Sequence, residues 1–176
     1  MPRPAVLAYP NSIDCFRRGF DALAELLALT LGPTQGVVLS SREAGGQPEL
    51  LTDAATIARR VVQLPDAGED VGAMLLRNLV WRMHQRMGDG GAMTAVLAQA
   101  MLAAADRYVR AGANPALVLR GLRSGSEIAL KRLDEISMPV RSEADYMAVA
   151  QAVTGDPQLS YVLGEMFELL GPHAYI

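Results

Sequence analysis

Apolar side chains recur at helical spacing along most of the chain. From Asn11 or Ser12 to about Leu31, the positions Phe16, Phe20, Leu23, Leu27 and Leu31 repeat every three or four residues, and Gly32-Pro33 is a helix stop. The rhythm changes between Gly36 and Thr52. There Val37-Val38-Leu39 and Leu50-Leu51-Thr52 are short β-type runs around Gly45-Gly46, with Pro48 nearby, a pattern that predicts a hairpin. Asp53 then precedes a helix over Ala54–Leu64 with Ile57, Val61 and Leu64 as its stripe, and Pro65 stops it. A long helix follows from about Glu69 to Met87, with Val71, Leu75, Leu79, Met83 and Met87 each four apart. Gly88-Asp89-Gly90-Gly91 interrupts.

An alanine-rich helix continues to about Arg110, with Leu97, Met101 and Ala105 on one face and alanines that allow close helix packing. Asn114 and Pro115 read as the cap and first residue of a helix to about Ile136, despite Gly121 and Gly125. Beyond Pro139, two more helices are expected at Ser142–Thr154 and Pro157–Leu170, and Tyr175-Ile176 is a strand-like pair. The expected fold is mainly α, a multihelical bundle with one small β-hairpin.

Composition narrows the functional classes. With 51% hydrophobic residues in 176, low-complexity disorder is excluded, and the length suits one domain or one plus part of a second. The net charge of −3 offers no broad field for nucleic acid. A single cysteine, Cys15, excludes an internal disulfide and suits a reducing compartment; on an apolar-rich helix it reads as a buried, inert thiol. Met1 to Tyr9 lacks the pattern of a secretory signal. The longest uncharged stretches, Leu26–Ser41 and Gly90–Ala105, fall short of the ~18–20 apolar residues of a membrane span. A cytoplasmic protein without membrane or nucleic-acid partners is expected.

Several chemistries have no support. The two histidines, His84 and His173, lack metal-ligand spacing to each other or to Cys15 and read as surface or satisfied structural residues. There is no Gly-x-Ser-x-Gly elbow, and Gly88–Met93 fails the dinucleotide fingerprint because Met93 holds the third glycine place. Lys131 is the only lysine, so no P-loop lysine follows the glycines. What remains is the turn itself. Gly88 to Gly91 opens directly into a helix whose free N–H groups and dipole favour an anion, and Asp89 can hold a Mg²⁺ that in turn binds phosphate oxygens.

Thr30-Leu31-Gly32-Pro33, Thr52-Asp53 and the Gly88–Gly91 turn together resemble, in order and spacing, the nucleotide site of the group I chaperonins, the GroEL-like family. The likeness extends through Asp53 to Arg59, Val71-Gly72-Ala73, Val96-Leu97-Ala98-Gln99, Ala111-Gly112 with Asn114-Pro115, and Arg120-Gly121. Ser137-Met138-Pro139 resembles the Ser-Val-Pro at which family chains leave the equatorial domain. The resemblance implies a partial equatorial domain over residues 1–136 and the start of an intermediate domain over 137–176. It implies ATP and Mg²⁺ as ligands. Thr30, Leu31, Gly32 and Pro33 would lie along the phosphates, Asp89 would hold the metal, Gly88, Gly90 and Gly91 would form the phosphate turn, and Asp53 would sit near the terminal phosphate. Ring-type self-association and unfolded client proteins are the implied partners, and ATP-dependent protein folding the implied function.

Three departures from the family pattern bear on activity. Its glycine turn continues Thr-Thr-Thr where this chain has Gly91, Ala92 and Met93, and Thr94 comes one place, about 100°, too late around the helix. The lysine before the family's aspartate is Thr52 here, and the glycine after it is Ala54. Ile176 falls where the family begins its client-binding domain; the parts beyond supply the water-activating aspartate and most of the base pocket. The chain is therefore expected to be an N-terminal piece or a reduced paralogue with slow or absent turnover. The alternative is a non-enzymatic helical scaffold that kept the fold, lost the ATPase and self-associates through apolar stripes left uncovered.

Overall fold

A computed structural model describes residues 11–32, 36–40 and 47–171. The Gly45-Gly46 turn, Pro33, His173 and the Tyr175-Ile176 pair lie outside the described residues. The elements are α1 (Asn11–Ala28), β1 (Val38–Ser40), β2 (Glu49–Leu51), α2 (Ala54–Arg60), α3 (Ala67–Met87), α4 (Gly91–Arg110), α5 (Pro115–Ile136), α6 (Glu143–Thr154) and α7 (Pro157–Leu170). The chain divides into two compact units, residues 1–122 and 123–176, and the division falls inside α5. Mainly helical architecture with one small hairpin is what the apolar periodicity predicts.

In the first unit α1, α3 and α4 pack on one another, and α2 closes the group. The core is Phe20, Leu23 and Leu27 of α1, Ile57 of α2, Leu76 and Val80 of α3, and Ala92 and Ala95 of α4. Glycines allow α1 and α3 to approach to backbone contact. A β-carbon on Gly72 would lie 1.9 Å from the Phe16 carbonyl oxygen, and one on Gly19 would lie 1.8 Å from that of Glu69. A polar seam joins α1 to α4. Asp106 accepts from both Arg17 and Arg110, Arg110 also reaches Asp14, and Gln99 donates to Asp21 at 3.1 Å. The hydrogen bond from Arg110, against the opposing effect of burial and with help from Arg17, holds the Asp106 carboxyl below its ordinary range.

The close approach overturns one expected face. Val71, Leu75 and Leu79 are exposed, and the buried stripe of α3 is Gly72, Ala73, Leu76 and Val80. Only small residues fit where two backbones touch, so the larger apolar set is displaced to the outer face. In α4, likewise, Leu97 and Met101 are exposed while Ala92 and Ala95 are buried. Two helices are shorter than expected. α1 stops at Ala28, leaving Leu31 exposed, and α2 stops at Arg60, followed by Val61 with an extended backbone.

β1 and β2 pair antiparallel with Val38 opposite Leu51 and Ser40 opposite Glu49. Leu51 faces the core, and Glu49 forms a two-pronged ion pair with Arg60 of α2 at 2.6 and 2.7 Å. This clasp holds the hairpin against the helix that begins three residues after it.

The second unit is built on α6 and α7. Ser142 and Asp145 form a capping box at the start of α6, and Asp156 caps α7 ahead of Pro157. Gly164 packs on Met147, Tyr146 stacks on Phe167 at 5.8 Å, and the buried Ser160 hydroxyl bonds the Asp156 carbonyl at 2.6 Å. An apolar groove of about 340 Å³ runs along this pair, lined by residues including Val149, Val153, Leu163 and Phe167. No helix among the described residues is long and apolar enough to cross a membrane.

Candidate functional site

Three stretches far apart in sequence meet in the first unit. The end of α1 supplies Thr30, the segment between β2 and α2 supplies Thr52, Asp53 and Ala54, and the α3–α4 turn supplies Asp89 and Ala92. Together they line a cleft of about 220 Å³.

Each contributor is held by local chemistry. Thr30 follows the last turn of α1, and its hydroxyl donates to the Leu27 carbonyl at 2.8 Å. Asp53 is the N-cap of α2, where one carboxylate oxygen accepts both the Thr56 N–H and the Thr56 hydroxyl at 2.7 Å. Gly88 ends α3 and Gly90 begins α4, with φ of 77° and 84°, left-handed values that favour glycine at both positions. Between them Asp89 accepts from the Gly90 N–H at 2.6 Å.

The start of α4 differs from those of α2, α3, α6 and α7. α2, α3, α6 and α7 are capped by Asp53, Asp66, Ser142 and Asp156, whereas Gly90 offers no side chain. Thr94 makes the first intrahelical bond, to the Gly90 carbonyl, so the amides of Gly91, Ala92 and Met93 precede the ladder. Ala92 brings that first turn to the cleft.

Among the described lining residues there are two carboxylates, two hydroxyls and no cation. Hard oxygen donors suit Mg²⁺, which is commonly held by one or two carboxylates plus the phosphates of its ligand. No group of three or more His, Cys, Asp and Glu among the described residues could hold a metal unaided. Asp53 and Asp89 are the two carboxylates of the cleft that can contribute to holding such a cation.

Of the residues the sequence nominates, Thr30, Asp53 and Asp89 line the cleft. Leu31, Gly32, Gly88, Gly90 and Gly91 flank these three in sequence without lining it, and Pro33 lies outside the described residues. Thr52, Ala54 and Ala92 line it as well, although the sequence marks Ala54 and Ala92 only as departures and Thr52 as both part of the resemblance and a departure from it. Cys15 is half-buried rather than buried, with an Arg18 nitrogen 3.2 Å from its sulfur. His84, expected as a surface or satisfied residue, is half-buried: it stacks on Trp81 at 5.3 Å, and its Nδ1 is buried without a partner among the described residues.

Burial pushes the Asp53 carboxyl up, but the hydroxyl and N–H of Thr56, the Ala55 N–H and the nearby His84 outweigh it, so its pKa lies below the ordinary aspartate value. A depressed carboxyl stabilises the fold above its unfolded pKa of ~3.9, and that contribution is lost as pH falls through the lower folded value. Asp53→Ala should therefore cost about 1 kcal/mol at pH 7, as for a lost N-cap. Urea unfolding should show the gap to wild type narrowing by pH 3; an undiminished gap would contradict the assignment.

Residues 23–167 match the TCP-1/cpn60 chaperonin family. Chaperonin GroEL 1 of Corynebacterium diphtheriae is 37% identical over 155 residues, which are 88% of this chain and 28% of that protein. The crystal structure of a group III chaperonin in the open state has the same fold, with a TM-score of 0.77 and 23% identity over 92% of this chain and 32% of that one. The chain belongs to the TCP-1/cpn60 chaperonin family, and it spans less than a third of the length of either relative.

Proposed function

We propose that the Thr30–Asp53–Asp89 cleft binds the phosphates of a Mg²⁺-bound adenine nucleotide, and that the chain serves ATP-dependent protein folding in the cytoplasm as part of a chaperonin subunit. On this reading residues 1–136 belong to an equatorial domain and 137–176 begin an intermediate domain. The observation that carries it is the convergence of two acids and a hydroxyl on the uncapped first turn of α4. Main-chain amides and a helix dipole supply the anion-binding field, and Mg²⁺ offsets the two carboxylates. Thr52 leaves the cleft without a lysine and Ala92 leaves the first turn of α4 without a hydroxyl there, so binding is favoured over fast turnover. The exposed Val71, Leu75 and Leu79 face supports ring-type assembly with further chaperonin segments, and unfolded proteins are the clients of the assembled particle.

Calorimetry tests the site directly. Titration with Mg²⁺ and ADP should release or absorb heat at sub-millimolar to millimolar nucleotide. Chelating the metal, or substituting Asp89→Ala, should weaken binding at least ~10-fold, because a carboxylate–cation–phosphate arrangement then loses a charged partner. No heat change at millimolar nucleotide, with the protein folded by circular dichroism, would end the proposal.

A further inference from the structure

Beyond Val80 no residue of α3 is fully buried, so the last two turns ahead of Gly88–Gly91 have no core anchor of their own. What they have is a stack of planar groups. Trp81, the one tryptophan of the chain, is half-buried at the start of this stretch. The Arg59 guanidinium of α2 lies over its ring, 4.3 Å from the centroid, well inside the ~6 Å reach of a cation–π contact. His84, three residues further along α3, stacks on Trp81 at 5.3 Å with 23° between the ring planes. Its Nδ1 is buried without a partner among the described residues, so the ring is held by stacking and not through that nitrogen.

Arg59 and His84 each lead to one side of the cleft. Arg59 belongs to the seven-residue α2, whose first turn Asp53 caps, and a helix so short takes its orientation from its neighbours. The His84 carbonyl accepts the Gly88 N–H at 2.8 Å, the bond that closes α3 one residue before Asp89. The His84 ring is also near enough to act electrostatically on the Asp53 carboxyl. We infer that Trp81 is a positioning residue: by holding Arg59 and His84 against its ring, it ties the end of α3 to α2 and so fixes the separation of Asp89 and Asp53 across the cleft. The inference rests on reading that cleft as a Mg²⁺–nucleotide site. Two carboxylates on separate elements share one cation only at a set spacing. An unclamped pair spends part of its time unable to bind, and the apparent affinity falls by that fraction.

Calorimetric titration of the full chain with Mg²⁺ and ADP tests this, at a temperature where circular dichroism shows every variant folded. Arg59 is exposed, so Arg59→Gln leaves the core untouched. It should weaken binding about two- to fivefold, the equilibrium equivalent of one exposed cation–π contact. Trp81→Leu removes both stacking contacts while keeping the Arg59 charge, and should weaken binding about tenfold. Trp81→Phe keeps an aromatic face and should bind within about twofold of wild type. Fluorescence adds a readout that stability alone would not move: Arg59→Gln should alter the Trp81 emission of the folded protein. An unchanged emission in Arg59→Gln, or equal weakening by Trp81→Phe and Trp81→Leu, overturns the positioning role. A wild-type chain that binds no ADP overturns the nucleotide reading and the positioning role with it. Wild-type binding that Trp81→Leu and Arg59→Gln both leave unchanged overturns the positioning role alone.

Discussion

Replacing Gly72 by valine should cost at least ~4 kcal/mol and leave the first unit largely unfolded in mild urea. Overpacking a core costs ~1–3 kcal/mol when side chains can adjust. Here the obstacle is main chain: the Phe16 carbonyl oxygen is 1.9 Å from the first added carbon, and the Phe20 nitrogen is 2.8 Å away. Neither can rotate aside, so α1 and α3 would have to separate along their whole contact, opening gaps around Leu23, Leu27 and Leu76. A domain with a total stability of ~5–15 kcal/mol has little margin for that. Gly121→Ala is the matching control, because a β-carbon there meets nothing within 4 Å. In an exposed helix interior that change should stabilise by about 0.5–1 kcal/mol. Urea unfolding of Gly72→Ala, Gly72→Val and Gly121→Ala reads both signs. Equal effects at positions 72 and 121 would mean that α1 and α3 do not meet at backbone distance.

Leu76→Ala should be nearly as damaging, at about 3 kcal/mol. Leu76 is fully buried among α1, α2 and α4 partners, and deleting three carbons there leaves a cavity that the rigid helix crossing cannot close. Its neighbour Leu75 is 53% exposed, and Leu75→Ala should stay within about 0.5 kcal/mol. Midpoints from denaturant titration separate the two. If Leu75 proved the costlier position, the buried face of α3 would be the one the leucine spacing suggests.

That reversal shows what the sequence can and cannot disclose. Helix ends were legible in α6 and α7, where Ser142 and Asp156 start the helices and Gly155 and Gly171 follow their last turns. They were not legible at the start of α3, where Asp66 caps a helix that begins at Ala67, two residues ahead of the expected Glu69. The buried face of α3 was not legible, because hydrophobic spacing weighs Val71, Leu75 and Leu79 above Gly72 and Ala73. Close packing inverts that order, since the smallest residues mark the contact. Thr30 and Asp53 were nominated through family likeness, whereas Asp89 was already singled out by the glycine turn that carries it. Leu31 and Gly32 follow Thr30 in sequence without lining the cleft. Thr52, Ala54 and Ala92 carry no chemical signature of their own, and their place at the cleft follows only from tertiary contact.

The glycine crossing of α1 and α3 has a mechanical consequence for the cleft. From Gly72 to Gly88 the helix rises about 24 Å, so the Gly88–Gly91 turn lies a lever arm away from the crossing. A tilt of about 3° at the crossing would swing Asp89 by about 1 Å, enough to degrade a site that depends on sub-ångström alignment. Drift at a pair of glycines remote from any ligand would thus detune the site with every residue around it unchanged.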